Sequence, residues 1–231
     1  MRDAWPTQRR CVMRGFMSVL YVLGFTCYKT PHDRVDTEAI MLSQFISRVR
    51  RNHGLEHATI HVLSEKHKDF SAQGNSDYRG FFLNIYGDIA EENVIGAVEE
   101  AFQRMKNGEH HLAVHPNCGT VLLTTATMAT VAAQASFSIE QKRQGRSQMT
   151  AAVLFNALPS AILAVILALI VSRPIGVRLQ ARFTTEGDLG NMKLVRIRKI
   201  SASPVTRLFK LLLTGGSGDM KAAAYRIETA G

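Results

Sequence analysis

Two stretches without a charged residue, 116–139 and 149–172, constrain this chain more than anything else in it. Each is longer than the ~20 residues a helix needs to cross the hydrocarbon of a bilayer, so each can span it with some tilt. The connection between them carries Lys142, Arg143 and Arg146, and the pair reads as a transmembrane helical hairpin over residues 116–172. The first stretch is rich in small and hydroxylated residues, Gly119, Thr120, Thr124, Thr125, Thr127 and Thr130 among them, which suits close helix packing. In the second, Asn156, Pro159 and Ser160 mark a kink or an interhelical hydrogen bond.

The cations flanking the hairpin set an expected orientation. Arg104 and Lys106 precede it and Arg173, Arg178 and Arg182 follow it, outnumbering those of the connecting loop, so both ends are expected in the cytoplasm of a multi-pass cell-membrane protein. The chain holds 28 Lys and Arg against 19 Asp and Glu, a net charge of +9. That surplus fits the lipid bilayer and its anionic headgroups as partners. No nucleic-acid partner is expected, because no basic stripe interleaved with aromatics and no known module is present. Cys11, Cys27 and Cys118 are too scattered for a disulfide framework. Residues 1–35 combine Arg2, Arg9, Arg10 and Arg14 with an uncharged run, 15–28, that is too short to cross as a helix and is expected at the interface.

Between that segment and the hairpin, residues 36–115 predict a small soluble α+β unit. Residues 36–51 place Ile40, Met41, Phe45, Ile46 and Val49 at helical spacing, and 53–65 continues as helix after a cap or kink at Asn52. Residues 71–79 read as a turn, 80–86 as a strand, 91–106 as an amphipathic helix and 110–115 as a second strand or extended entry into the membrane. After the hairpin, 173–231 is expected as a basic juxtamembrane segment, strand-like at 193–200 and helix-like at 205–213, lying against lipid.

The chemistry is concentrated in histidines. His53, Glu56 and His57 form H-x-x-E-H, the order found in inverzincin metallopeptidases, and His61 follows at the same spacing. On a helix His53 and His57 share a face and can reach one ion, while Glu56 lies near enough to take a proton from water. His53 and His61 are separated by about 12 Å of helix rise, too far to share it. The pair is therefore His53 with His57, or alternatively His57 with His61. A second cluster, His110, His111, His115 and Cys118, sits at the start of the first span. Pro116 makes His115 extended, Asn117 can cap the helix, and Cys118 at a helix N-terminus gains thiolate character. A mixed nitrogen and sulfur set suits zinc. The structural alternative is a buried cysteine with interfacial histidines.

Four phrases, "RRNHGLEHATIHVL", "GNSDYRGFFL", "GEHHLAVHPNCGT" and "RFTTEGDLG", make the chain resemble a family of bacterial two-span membrane proteins, the domain of unknown function DUF6391. It is more faintly similar to another bacterial membrane family that pairs a "HGAEHK"-like helix with a "HPRCGT"-like entry into a span. That resemblance implies one site containing His53, Glu56, His57, His115 and Cys118. Ala58 stands where that family has Lys, so no role transfers to it.

These features predict zinc held by His53 and His57 with His115 or Cys118. With an open position, Glu56 serves as the proton acceptor in hydrolysis at the membrane face. With four ligands the site is closed and structural. The competing expectation is a non-enzymatic membrane module that binds a protein or anionic lipid. Thiol redox chemistry at Cys118 lacks a C-x-x-C partner.

Overall fold

The histidine segment lies in a single helix. In the computed structural model, which describes residues 31–214 and 221–231, α1 runs unbroken over Pro31–Lys66. The cap or kink expected at Asn52 does not form, because its buried amide is satisfied elsewhere. Nδ2 donates to the Asp77 carbonyl at 2.8 Å and Oδ1 accepts from the Thr229 hydroxyl at 2.7 Å. An asparagine with both partners supplied does not compete for its own backbone and end the helix. Residues Ala39–Gly231 form one unit, which contains every site residue discussed below. The run 15–28, Cys11 and Cys27 lie outside the described residues.

Strand β2 (Gly80–Tyr86) and helix α2 (Glu91–Lys106) stand where the pattern predicts them. The expected turn at 71–79 is instead largely a strand, β1 (Ser71–Asp77), with only Tyr78 and Arg79 turning the chain. Its residues have little strand preference of their own. What makes it a strand is continuous antiparallel pairing with β2, from Ser71 opposite Tyr86 to Asp77 opposite Gly80. Residues His110–Ala113 form a 3-10 turn rather than a strand, since Leu112 and Ala113 turn inward to the core.

The larger correction concerns the segment after the hairpin. It is not only a basic stretch beside the membrane. Its strands β3 (Lys193–Ile200) and β4 (Ala222–Ala230) complete a four-stranded antiparallel sheet of order β1-β2-β4-β3. Helix α5 (Pro204–Thr214) joins them. One face of the sheet presents Phe81, Leu83, Ile85, Tyr225 and Ile227 to a core completed by Leu55, Ala58 and Val62 of α1 and Val94, Val98, Ala101 and Met105 of α2. The two-layer arrangement buries one stripe of each helix against one face of the sheet.

The hairpin consists of α3 (Gly119–Arg143) and α4 (Ala151–Leu179), both long and apolar enough to cross a membrane. Leu123 and Phe155 are each 70% exposed and Ile170 is 65% exposed, unlike the apolar residues of a helix buried in a soluble core. The helices meet through small and hydroxylated residues, as the sequence predicts. Ser172 Oγ donates to Thr125 Oγ1 at 3.0 Å, and a Cβ on Gly176 would stand 2.9 Å from Val121 Cα. Ser160 instead bonds within its own helix, to the Ala157 carbonyl, and both Pro159 and Pro174 lie inside the continuous α4. A π-helical turn, Gln180–Thr184, ends α4.

Candidate metal centre

Three ligand-type side chains meet where α1 packs against the two ends of the hairpin, which touch each other through Thr120 Oγ1 and Thr184 Oγ1 at 3.2 Å. His53 and His57, four residues apart, face one side of α1, as helical spacing requires. Cys118 is the N-cap residue of α3, with extended backbone, and its Sγ accepts from the Thr120 N–H at 3.4 Å. Asn117, expected as the cap, is displaced from that role by Cys118. The ligand atoms of His53, His57 and Cys118 all lie within 4.8 Å of one another, close enough to hold a metal ion. Cys118 is buried and lies 3.6 Å from His53 Nε2.

Both imidazoles are locked by main-chain oxygens. His53 Nδ1 is 2.9 Å from the Thr184 carbonyl, and His57 Nδ1 is 2.8 Å from the Ala113 carbonyl. A carbonyl can only accept, so each ring carries its proton on Nδ1 and offers the lone pair of Nε2. The Thr184 oxygen belongs to the π turn that ends α4. The same turn supplies Gln180, fully buried, whose amide nitrogen lies 3.1 Å from His57 Nδ1 and whose side-chain oxygen accepts from the His115 N–H at 3.2 Å. Such turns recur where helices are adapted to a local task. The π turn is clamped to α1 by Arg50, whose guanidinium donates to the carbonyls of Arg182 and Thr185. Gly54 permits the approach, since a Cβ there would stand 2.5 Å from the Glu186 carbonyl oxygen.

The electrostatics favour a charged sulfur. Burial pushes the Cys118 thiol up, but the facing His53 and His57 imidazoles and the Thr120 N–H outweigh it and bring the thiol down to about 5. Burial likewise acts to lower His53, while its bond to Cys118 and the charge of Glu56 outweigh that and leave it raised. A sulfur inclined to the thiolate beside the Nε2 of His53 is a donor pair that a cation can bind.

The other predicted residues take different places. Glu56 is buried beside the triad but outside it. Its Oε2 accepts from the Ser76 hydroxyl at 2.6 Å, and the carboxylate fills the space where a side chain at Gly74 would stand, 2.1 Å from a Cβ built there. Burial pushes its carboxyl up, and the Ser76 hydroxyl and the two imidazoles offset this only in part. His115 is not among the three grouped ligands. Its ring centroid is 5.8 Å from that of His57 and 5.0 Å from that of His61, and its Nδ1 accepts from the Asn117 N–H at 3.3 Å. Burial, followed by the charges of His61 and His57, lowers it to about 4. His61 is engaged by the Val114 carbonyl at 2.8 Å, so the pair formed is His53 with His57.

Sequence reasoning missed Gln180 and the carbonyls of Ala113 and Thr184. The phrase "RFTTEGDLG" contains Thr184, but nothing in residue type reveals that a backbone oxygen orients a ring 131 positions away.

His57 and Cys118 open onto a cleft of about 530 Å³. Ile60 and Ser64 of α1, Phe70, residues 71–74 of β1, Tyr86, His115, Asn117, and Gly119 and Leu122 of α3 complete its lining.

Comparison with known proteins places the chain in a family without assigning the site a task. An uncharacterised protein of Picosynechococcus sp. is 37% identical over 94 residues, 35% of this chain and 45% of the relative, so the chain spans less than half of that protein's length. No solved structure matches. Residues 48–197, which include the grouped His53, His57 and Cys118 and both hairpin helices, match the model of the domain of unknown function DUF6391, and the chain belongs to that family.

Proposed function

We propose that this chain is a membrane-embedded zinc hydrolase, with the ion held by His53, His57 and Cys118 and a fourth position open to the cleft. The state of the two imidazoles carries the reading. Each is tied through Nδ1–H to a main-chain carbonyl and offers Nε2 beside a thiolate. Histidines that ligate metals have their other ring nitrogen bonded in this way, which fixes tautomer and ring orientation. The 3.6 Å between His53 Nε2 and Cys118 Sγ supports zinc. Bonds of ~2.1 Å to nitrogen and ~2.3 Å to sulfur at tetrahedral angles separate those donors by about 3.6 Å. Two imidazoles and a thiolate match its borderline softness, and three protein ligands are the pattern of catalytic sites.

Zinc in such a site supplies Lewis acidity and lowers the pKa of water to about 7. The chain's own contribution is then orientation and proton transfer. Glu56 is the proton acceptor: it precedes His57 directly, Ser76 holds one of its oxygens, and burial moves its carboxyl in the direction of a useful base. The site belongs at a membrane face, with α3 and α4 crossing the bilayer. Both ends face the cytoplasm, and Arg173, Arg178 and Arg182 lie toward anionic headgroups, on the strength of the flanking cations.

A second reading, a non-enzymatic module for anionic lipid or a protein, draws on α5, where Leu208 and Leu212 are exposed. Metal content and turnover separate the two. Protein purified in detergent is expected to carry about one zinc per chain, lost in His57→Ala and Cys118→Ala, whereas Glu56→Gln keeps the metal and loses hydrolysis. Wild-type protein without stoichiometric metal removes the first reading. Metal with no hydrolysis of any probe leaves the site structural and favours the second.

A further inference from the structure

The wall of the cleft opposite the hairpin has an unusual property. Ser71, Ala72, Gln73 and Gly74, four consecutive residues of β1, all line it. Side chains of a strand alternate between faces, so a cleft lying on a sheet face is lined by every second residue. Four in a row mean that the cleft runs along the edge of the strand. β1 is the outermost strand in the order β1-β2-β4-β3, and among the described residues no strand pairs with its outer side.

Natural proteins close such edges with lysine, proline, a bulge or a covering loop. β1 has none of the first three. Its sequence is SAQGNSD, and it pairs with β2 in unbroken register. Along the cleft, at 71–74, its side chains are small or polar and present no bulk over the strand's edge, while the Asp77 carbonyl at its far end already accepts from Asn52 Nδ2. An unpaired strand edge recognises an extended polypeptide backbone, whose groups it satisfies as another strand would. The cleft also holds His57 and Cys118, and Gly74 of the same strand lies directly against Glu56.

From this juxtaposition, and resting on the hydrolase reading above, we propose that the substrate is a polypeptide. It adds in extended conformation to the free edge of β1, which carries one of its carbonyls to the His53, His57 and Cys118 site. Ile60, Phe70 and Leu122, apolar residues of the cleft lining, are there to meet one of its side chains. In the reaction the oxygen of water bonds to the carbonyl carbon and the C–N bond breaks, its electron pair passing to nitrogen. Both water protons end on the new ammonium, one of them by way of Glu56, and the other product is a carboxylate. Leu122 and Gly119 are in the first turn of α3, so the chain cut is one that reaches the membrane face. An acyl ester would use the metal and the apolar lining but not the strand edge.

The test uses the full chain, zinc-loaded in detergent, with two probes: a mixture of internally quenched octapeptides randomised at their central positions, and a fluorogenic medium-chain acyl ester. The best-cleaved peptide is then resynthesised with single backbone N-methyl groups at each position in turn. Addition to a strand edge predicts a period of two, with cleavage falling at least tenfold for every second position and little changed between. The Glu56→Gln variant is expected to cleave neither peptide nor ester. Cleavage that is indifferent to N-methylation, or sensitive without alternation, overturns the strand-edge proposal. Hydrolysis of the ester with no peptide cleaved also overturns it while leaving the hydrolase reading in place. Failure to hydrolyse either probe overturns both.

Discussion

At the scale of single residues, the site was legible where chemistry depends on residue type and spacing. It was illegible where chemistry depends on backbone. His53 and His57 share a face of α1 because they are four apart, and Cys118 gains thiolate character beside them. The carbonyls of Ala113 and Thr184 that fix their tautomers carry no trace in the sequence. His115 has the spacing of a ligand, but the chain turns through His110–Ala113, and His115 accepts from the Asn117 N–H and meets the His61 ring edge-on. Away from the site, Asp77 offers a prediction. Burial acts to raise its carboxyl, yet the Arg226 guanidinium at 2.9 Å and the Arg79 N–H outweigh that and hold it below the ordinary 3.8. A carboxyl depressed in the folded state stabilises above its unfolded value, and that stability is lost as pH falls through the folded value. Urea unfolding is therefore expected to show a fall in stability below pH 3.8 that is shallower in Asp77→Asn. The variant is also less stable at pH 7, where the nearly buried Arg226 keeps its charge without its partner.

At the scale of elements, periodicity served where a segment's own residues decide its structure. Gly80–Tyr86 and Glu91–Lys106 bury the apolar faces that their patterns describe. β1 escaped because pairing with β2, not its own composition, makes it a strand, and α1 runs past Asn52 because the partners of that amide lie on Asp77 and Thr229, distant in sequence. The exposed Ile40, Met41 and Leu42 show the converse, an apolar pattern on α1 that the described core does not bury. The π turn Gln180–Thr184 was likewise not foreseen, and it carries the prediction at this scale. Gln180→Leu keeps the volume and apolar packing of the end of α4 but removes both the polar neighbour of His57 and the acceptor of the His115 N–H. Zinc affinity, measured by competition with a chromophoric chelator, is expected to fall by roughly 10- to 100-fold with the three ligands intact. Unchanged affinity would mean that the Gln180 side chain does not help to position the site.

For the whole molecule, the hairpin is an insertion into the sheet-bearing layer and not a terminal anchor. β1 and β2 precede α3, β3 and β4 follow α4, and all four strands form one sheet. If α3 and α4 cross a bilayer, both flanks must therefore lie on the same side, whatever the flanking cations favour. Single cysteines introduced at Lys68 and Arg198 in a background with Cys11, Cys27 and Cys118 all replaced by serine are expected to react with an impermeant maleimide from one side, and one at Gly145 from the other. Labelling of all three from the same side would show that the hairpin does not cross. The same insertion brings Cys118 at the start of α3 and Thr184 after α4 to the two ring nitrogens of His53 on α1, which makes the candidate metal centre a product of the entire arrangement. The most direct test of that centre is zinc K-edge X-ray absorption on the protein purified in detergent. The account predicts one sulfur scatterer at ~2.3 Å with nitrogen or oxygen at ~2.0–2.1 Å, the sulfur lost in Cys118→Ser. A shell of nitrogen and oxygen alone in the wild type, or no bound metal, would contradict it.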